Sequence, residues 1–215
     1  IGALLATSGV VVQSVFLNPL ADPYIIGIAS AATFGAVIAY LLGLSDVFYG
    51  IFAFLAASGL SLVIFKLAAH TRSISTLLIV GIAVSSFLGA FTSFAVYLIG
   101  EDSFRITAWM MGYLGGANWQ KIALLLPPLL FCMAYFYAKR HELNIILNGD
   151  EEAKSLGLNV ERSKKSLLIV SSLIIGFSVA FTGMIGFVGL IIPHTLRMAL
   201  HTASNAVLIP ASALT

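Results

Sequence analysis

Five stretches of this chain, residues 24–44, 47–65, 75–100, 122–138 and 166–192, contain no Asp, Glu, Lys or Arg. Spanning the hydrocarbon core of a bilayer takes about 20 mostly apolar residues as a helix, because every backbone group there must be bonded internally. Each stretch reads as a membrane helix, the last with residues to spare. A sixth apolar run, residues 1–17, has no initiating Met and no basic flank of the kind a signal peptide carries. It reads as a helix cut at the boundary of a fragment, and the apolar ending AVLIPASALT suggests an internal piece of a longer protein. The composition agrees: 60% of the 215 residues are hydrophobic, 9% are charged, and mean hydropathy is +1.03.

With six helices in order, connections alternate sides. Lys66, Arg72, Lys139, Arg140, Lys154, Arg162, Lys164 and Lys165 then share one side, and Arg105, Lys121 and Arg197 the other. The first group marks the cytoplasmic side. The expected location is therefore the cell (inner or cytoplasmic) membrane, as a multi-pass protein. A net charge of +2 leaves no polybasic footprint for nucleic acid. The single cysteine, Cys132, lies in an apolar stretch, which excludes a disulfide framework and reads as packing.

Residues 6–9 read ATSG and residues 180–183 read AFTG, each followed by a proline ten residues after the glycine, Pro19 and Pro193. The helices carrying them are five apart in order and run in opposite directions. That is the arrangement of an inverted repeat, on which many transporters are built.

Three motifs stand out. The first, NPLADPYIIG at 18–27, is a rigid polar turn in which Asp22 is a candidate N-cap and Pro23 suits the first turn of the next helix. The second is LNGDEEAKSLGLNVERSKK at 147–165, which holds eight of the twenty charged side chains. Asp150, Glu151 and Glu152 sit at the positive end of a short helix that Gly157 can stop in a left-handed cap, with Ala153 and Leu156 on one face. Asn159 offers a second N-cap, giving two small helices, and Arg162, Lys164 and Lys165 lead into the next span as interfacial anchors. Five acids nearly cancel six bases over residues 139–165, so lipid anchoring does not explain the loop. A docking surface for another protein explains it better. The third motif is GMIGFVGLIIPHTLR at 183–197, where Gly183, Gly186 and Gly189 permit close helix contact and Pro193 breaks the helix.

These motifs carry a family resemblance. Asn18, Pro19, Leu20, Ala21, Asp22 and Pro23 with Gly27, then Gly149, Asp150 and Glu151 with Ala153, Leu156 and Gly157, then Gly183, Ile185, Phe187, Gly189, Leu190, Pro193, His194 and Arg197 match in order. The chain resembles a FecCD-type permease, the membrane subunit of binding-protein-dependent ABC importers for iron-siderophores, haem, cobalamin and related metal chelates. The resemblance implies an all-α, polytopic transmembrane bundle with an inverted repeat. It is of a ten-helix permease type, of which about helices 2 to 8 are present. Residues 1–215 would then be a single transmembrane permease domain truncated at both ends, with residues 143–165 a cytoplasmic coupling segment. It further implies a homodimer, an ABC ATPase subunit that binds ATP and Mg while the permease binds no cofactor directly, and an extracytoplasmic substrate-binding protein. By resemblance Gly149, Asp150, Glu151, Ala153, Leu156 and Gly157 contact the ATPase, and Asn18, Pro19, Asp22, Pro23, Gly183, Gly189, Pro193, His194 and Arg197 are structural.

No catalytic set is evident: there is no phosphate loop, no H-E-x-x-H pair and no nucleophile elbow, and His141-Glu142 lacks a second histidine. His194 and His201 read as hydrogen-bonded groups near a helix end rather than metal ligands. Glu101, Asp102 and Arg105 lie in a long outer loop ending at Trp109, Tyr113 and Trp119, expected as interfacial aromatics, and are candidates for an outer gate or binding-protein contact. Ser85, Ser86, Thr92 and Ser93 are the polar candidates along a pathway free of charge, since one charge in a span costs roughly 2.5–3.5 kcal/mol or more. The alternative reading, an ion-coupled secondary transporter with inverted repeats, lacks an obvious carboxylate for coupling.

Overall fold

The computed structural model describes residues 1–68 and 74–215; Arg72, counted above on the basic side, lies outside the described residues. Among the described residues the regular structure is helical throughout: α1 (Gly2–Val15), α2 (Ile28–Leu41), α3 (Asp46–Ala68), α4 (Ile74–Ile99), a 3-10 turn (Gly100–Ser103), α5 (Phe104–Met110), α6 (Trp119–Ala138), α7 (Arg140–Ile146), α8 (Asp150–Ser155), α9 (Val160–Thr182), α10 (Val188–Leu200) and α11 (Asn205–Leu214). Among the described residues four segments are long and apolar enough to cross a membrane: Asp46–Lys66, Leu78–Met110, Trp119–Ala138 and Val160–Thr182.

The remaining apolar stretches yield shorter helices. α1 and α2 have 14 residues each, about 21 Å at 1.5 Å per residue. For α2 the shortening has a local cause. Its N-cap is Gly27 at φ +87°, and Gly27 N–H closes a turn on the Tyr24 carbonyl at 2.9 Å. Asp22 therefore does not cap α2, and Pro23 lies before that turn rather than in the first turn of the helix. The uncharged run 166–192 is likewise not one helix. It breaks at residues 183–187, where Gly183 (φ +68°) and Phe187 (φ +67°) take left-handed backbone. Tyr113 N–H donates to the Thr182 carbonyl at 2.7 Å, satisfying an acceptor that the helix end leaves free.

Pro193 is not the breaker. It sits buried inside α10. Proline cannot donate to the carbonyl four residues back, here Gly189. That carbonyl oxygen occupies the place where a Cβ on Gly9 of α1 would project. Two residues lacking what most residues have, an N–H at 193 and a Cβ at 9, thus let α1 and α10 meet backbone to backbone. Such approaches, in which a Cα–H faces a carbonyl, recur at helix interfaces.

The chain divides into two compact units. The first comprises Ile1–Pro23, Ile122–Ile174 and Gly186–Thr215. In it α1 packs on α10, α11 and α7, around the buried side chains of Leu4, Leu5, Leu143, Ile146, Leu167 and Leu208. The second comprises Tyr24–Lys121 and Ile175–Ile185. Its core sets one large residue and two alanines at helical spacing on each of two helices, Ile28, Ala32 and Ala36 from α2 against Tyr49, Ala53 and Ala57 from α3, closed by Ile106, Ile175 and Val179. Small side chains at such positions bring helix backbones close where the surrounding solvent is itself apolar.

Candidate coupling site

The charged loop is two short helices and the start of a long one. α7 follows directly on α6, a three-residue turn leads into α8, and α8 is followed by α9, whose first turn accepts a cap from Asn159: its Oδ1 takes the Arg162 N–H at 3.0 Å. The pair of small helices is therefore α7 and α8; the stretch after Asn159 is continuous with a membrane helix.

Both glycines of the motif are conformational requirements. Gly149, the N-cap of α8, has φ +102° and ψ 158°, a region essentially closed to residues with a Cβ. Gly157 has φ +85°. Its N–H donates to the Lys154 carbonyl at 2.9 Å while Leu158 N–H donates to the Ala153 carbonyl at 3.1 Å, the paired bonds of a Schellman stop. α8 is six residues long and has defined ends on both sides.

Two polar clamps hold this segment. Lys164 Nζ lies 2.6 Å from Asp150 Oδ1, with the lysine side chain 4% exposed. Lys164 is thus no interfacial anchor: a buried ammonium requires a partner, and Asp150 supplies it. The second clamp is Glu142, which accepts from Lys139 at 2.6 Å and from the hydroxyl of Ser163. Burial alone pushes the Glu142 carboxyl up, but the bonds from Lys139 and Ser163 outweigh it and hold the group below its ordinary value. Glu151 pairs with Lys154 at 3.0 Å on the exposed side.

Ala153 and Leu156 do not share an exposed face. Ala153 is fully buried, whereas Leu156 is 65% exposed. Leu156 is the C-cap, where the backbone leaves helical geometry, so i, i+3 helical spacing no longer describes the pair. Ala153 packs inward; Leu156 is the apolar side chain presented outward.

The other motif residues fall in two places. Asn18 forms an Asx turn, its Oδ1 accepting from Leu20 N–H at 2.9 Å, and Pro19 lies exposed in that turn. Pro23 rests against Gly189, where a Cβ would meet its ring. Gly183 abuts the Trp109 carbonyl and Gly112, while Gly186 faces open space. The three glycines therefore form no helix stripe. The ATSG and AFTG letters also take different backbones, since Gly9 is mid-helix and Gly183 lies after a helix end.

Arg197 is part of α10 rather than of a connection between helices. It lies half-buried on α10, where its guanidinium donates to Gln13 Oε1 of α1, while Gln13 Nε2 donates to the Leu190 carbonyl at 3.1 Å. His194 is half-buried one residue beyond Pro193, and His201 is exposed at the end of α10. No group of three metal-ligating side chains occurs among the described residues. Cys132 is buried, with its Sγ 3.7 Å from Thr7 Oγ1.

In the second unit, Glu101 and Asp102 belong to the 3-10 turn and Arg105 to α5, so this region is helical rather than a loop. Arg105 pairs with Asp46 at 2.6 Å, and Tyr40 Oη donates to the Asp102 carbonyl at 2.8 Å. Trp109 packs edge-on against Tyr49 at 6.3 Å, which makes it a core contact, while Tyr113 and Trp119 are exposed. Ser85 and Ser86 bond the Gly81 and Ile82 carbonyls of their own helix.

Sequence reasoning missed Gln13, Ser14, Asn144 and Asn205. Gln13, Ser14 and Asn205 did carry a signal, since α1 and α11 hold no charged residue and polar groups in an apolar solvent need partners, whereas Asn144 sits among Arg140, His141 and Glu142 on α7 and carried none.

Helices long and apolar enough to span a bilayer, together with a charged surface segment, are those of a multi-pass membrane protein. The chain belongs to the FecCD transport family, whose model matches residues 1–215. It is 41% identical over 220 residues to the cobalamin import system permease protein BtuC of Halobacterium salinarum, covering 100% of this chain and 59% of that one. It is 36% identical over 228 residues to the hemin transport system permease protein HmuU of Yersinia pestis, covering 100% and 66%. The chain thus spans less than two thirds of the length of these relatives. A solved structure of a metal-chelate type ABC transporter in an inward-facing conformation superposes with a TM-score of 0.90 at 33% identity, covering 99% of this chain and 69% of that one.

Proposed function

We propose that this chain belongs to a permease subunit of an ATP-driven, binding-protein-dependent importer in the cytoplasmic membrane. Its cargo is a metal chelate of the cobalamin, haem or iron-siderophore class. The observation that carries the reading is α8, a six-residue helix with both ends defined, tied by Asp150 to the buried Lys164, and presenting Leu156 to solvent. A helix held in this way passes on a displacement that a loose loop would absorb.

In this reading residues 143–165 face the cytoplasm and dock on an ABC ATPase subunit, which binds ATP and Mg; the permease performs no catalytic step. The exposed side chains of Leu156 and Glu151 make the contact. Gly149, Asp150 and Gly157 shape the helix, and Ala153 seats it. Two permease copies form a homodimer around the pathway, a role supported by the uncovered apolar side chains of α4, among them Phe87, Phe91 and Phe94. An extracytoplasmic binding protein delivers the chelate near Glu101 and Asp102, where the Arg105–Asp46 pair steadies α5.

The test is co-purification of the full-length permease with its cognate ATPase. Leu156→Asp and Gly157→Pro are expected to lose the ATPase while the permease still assembles. Retention of ATPase binding and transport in both variants would overturn the docking assignment.

A further inference from the structure

Ser14, Asn144 and Asn205 are far apart in the chain, with separations of 61 residues for Asn144–Asn205 and 191 for Ser14–Asn205, yet form one hydrogen-bonded line through the first unit. Asn144 Oδ1 accepts two bonds from Asn205, one from its backbone N–H at 2.8 Å and one from Nδ2 at 3.0 Å. Asn205 Oδ1 in turn faces the Ser14 hydroxyl at 3.0 Å, whose single proton is shared with the Val10 carbonyl at 2.8 Å. Ser14 and Asn205 have no exposed surface.

The orientation of these amides is determined by chemistry. A backbone N–H can only donate, so the Asn144 atom facing it is the oxygen. The Asn205 atom facing that oxygen must then be its nitrogen, which turns Asn205 Oδ1 toward Ser14. Only one arrangement satisfies all three groups, and a slipped register would leave buried donors unpaired.

The position of Asn205 adds to this. It is the first residue of α11, and its N–H is one of the donors that a helix start leaves free. A cap ordinarily comes from the residue just before, but Ser204 makes no such side-chain bond. The cap comes instead from α7, the helix that leads through three residues into α8. The neighbours of Asn144 on α7, Leu143 and Ile146, are buried apolar side chains, and apolar contacts are not directional. The amide line is directional.

We propose that Asn144 and Asn205 are positioning residues that carry displacement of α8, through α7, into α1 and α11. The proposal rests on the permease reading above. Loss of the line separates movement of the docking helix from movement of the membrane helices without releasing the ATPase.

The experiment uses the full-length permease with its ATPase, one nitroxide per copy, and distances between the two copies measured before and after AMP-PNP with Mg²⁺. Labels go on Glu152→Cys, exposed on α8, or Ala203→Cys, exposed between α10 and α11; Cys132 is buried and stays unlabelled. In the parent, nucleotide shifts both distances. In Asn144→Leu the shift at 152 persists and the shift at 203 is lost. Asn144→Asp, which keeps the acceptor, restores it, an outcome that general loosening of the fold does not produce. Asn144→Ala, which removes the acceptor without adding bulk, gives a second, milder break should Asn144→Leu fail to assemble. Shifts at 203 equal to the parent in Asn144→Leu, or in Asn144→Ala where that variant takes its place, overturn the proposal. Absence of any nucleotide shift at 152 in the parent is the distinct failure of the permease reading, and it removes the proposal with it.

Discussion

Lys164 Nζ and Asp150 Oδ1 lie 2.6 Å apart, the lysine almost fully buried and the aspartate 42% exposed. The first residue of α8 is thereby joined to the first turns of α9, although ten or more residues of turn and helix separate them in the chain. Removing one partner of such a pair is worse than removing both, because the survivor is a charge without compensation.

Asp150→Ala should therefore destabilise the first unit by about 2–3 kcal/mol, below the range for a fully buried pair because Asp150 reaches solvent. Lys164→Leu should cost less, since it leaves only a half-exposed carboxylate. Thermal unfolding of the purified full-length permease in detergent checks the order; a larger loss for Lys164→Leu would contradict it.

Glu142 supplies a pH dependence. Its folded value lies below the ordinary carboxylate range, so its bonds to Lys139 and Ser163 contribute fully above that range and are lost as pH falls through the folded value. Stability should decline on acidification below the ordinary carboxylate range. Glu142→Gln should flatten that part of the profile, measured as melting temperature against pH.

At Gly157, φ +85° puts a strain of roughly 1–2 kcal/mol on any residue with a Cβ. Gly157→Ala should fold yet hold the ATPase less firmly, while Gly157→Asn, which tolerates left-handed backbone, should fall between. Affinity of permease for ATPase distinguishes them, and equal affinities would show that the stop is not what shapes the contact.

Gly9 faces the Gly189 carbonyl so closely that a methyl group cannot be added without moving α1 from α10. Gly9→Ala should cost about 1–3 kcal/mol by overpacking, whereas Gly59→Ala, with nothing within 4 Å, should be close to neutral. Matched melting curves decide.

Gln13→Leu removes the acceptor of the half-buried Arg197 and the donor to Leu190. A loss of about 2–3 kcal/mol follows for a bond to a charged group left unpaired, and Gln13→Glu should recover most of it. Unfolding in denaturant gives the comparison.

Much of this was legible in the letters. Uncharged runs located four spans because a bilayer tolerates so few charges, though residues 1–17 and 24–44 gave only 14-residue helices, and Gly149 and Gly157 marked the ends of α8 because few other residues can take their backbone. The acids after Gly149 likewise announced a helix start. These are local constraints, felt within a turn or two of chain.

What the sequence by itself determined is therefore a helical membrane protein with a capped charged segment and a family signature in three motifs. Tertiary structure alone decided that Ala153 turns inward while Leu156 stays out, that Lys164 is buried on Asp150, and that Arg197 is bonded to Gln13. It alone decided that Pro193 continues a helix and lends its orphaned acceptor to a contact with Gly9. The physical reason is common to all four: each depends on which distant group fills the space beside a side chain. Partners such as Gln13 and Arg197, which a hydrogen bond joins across 184 residues, leave no mark in local spacing.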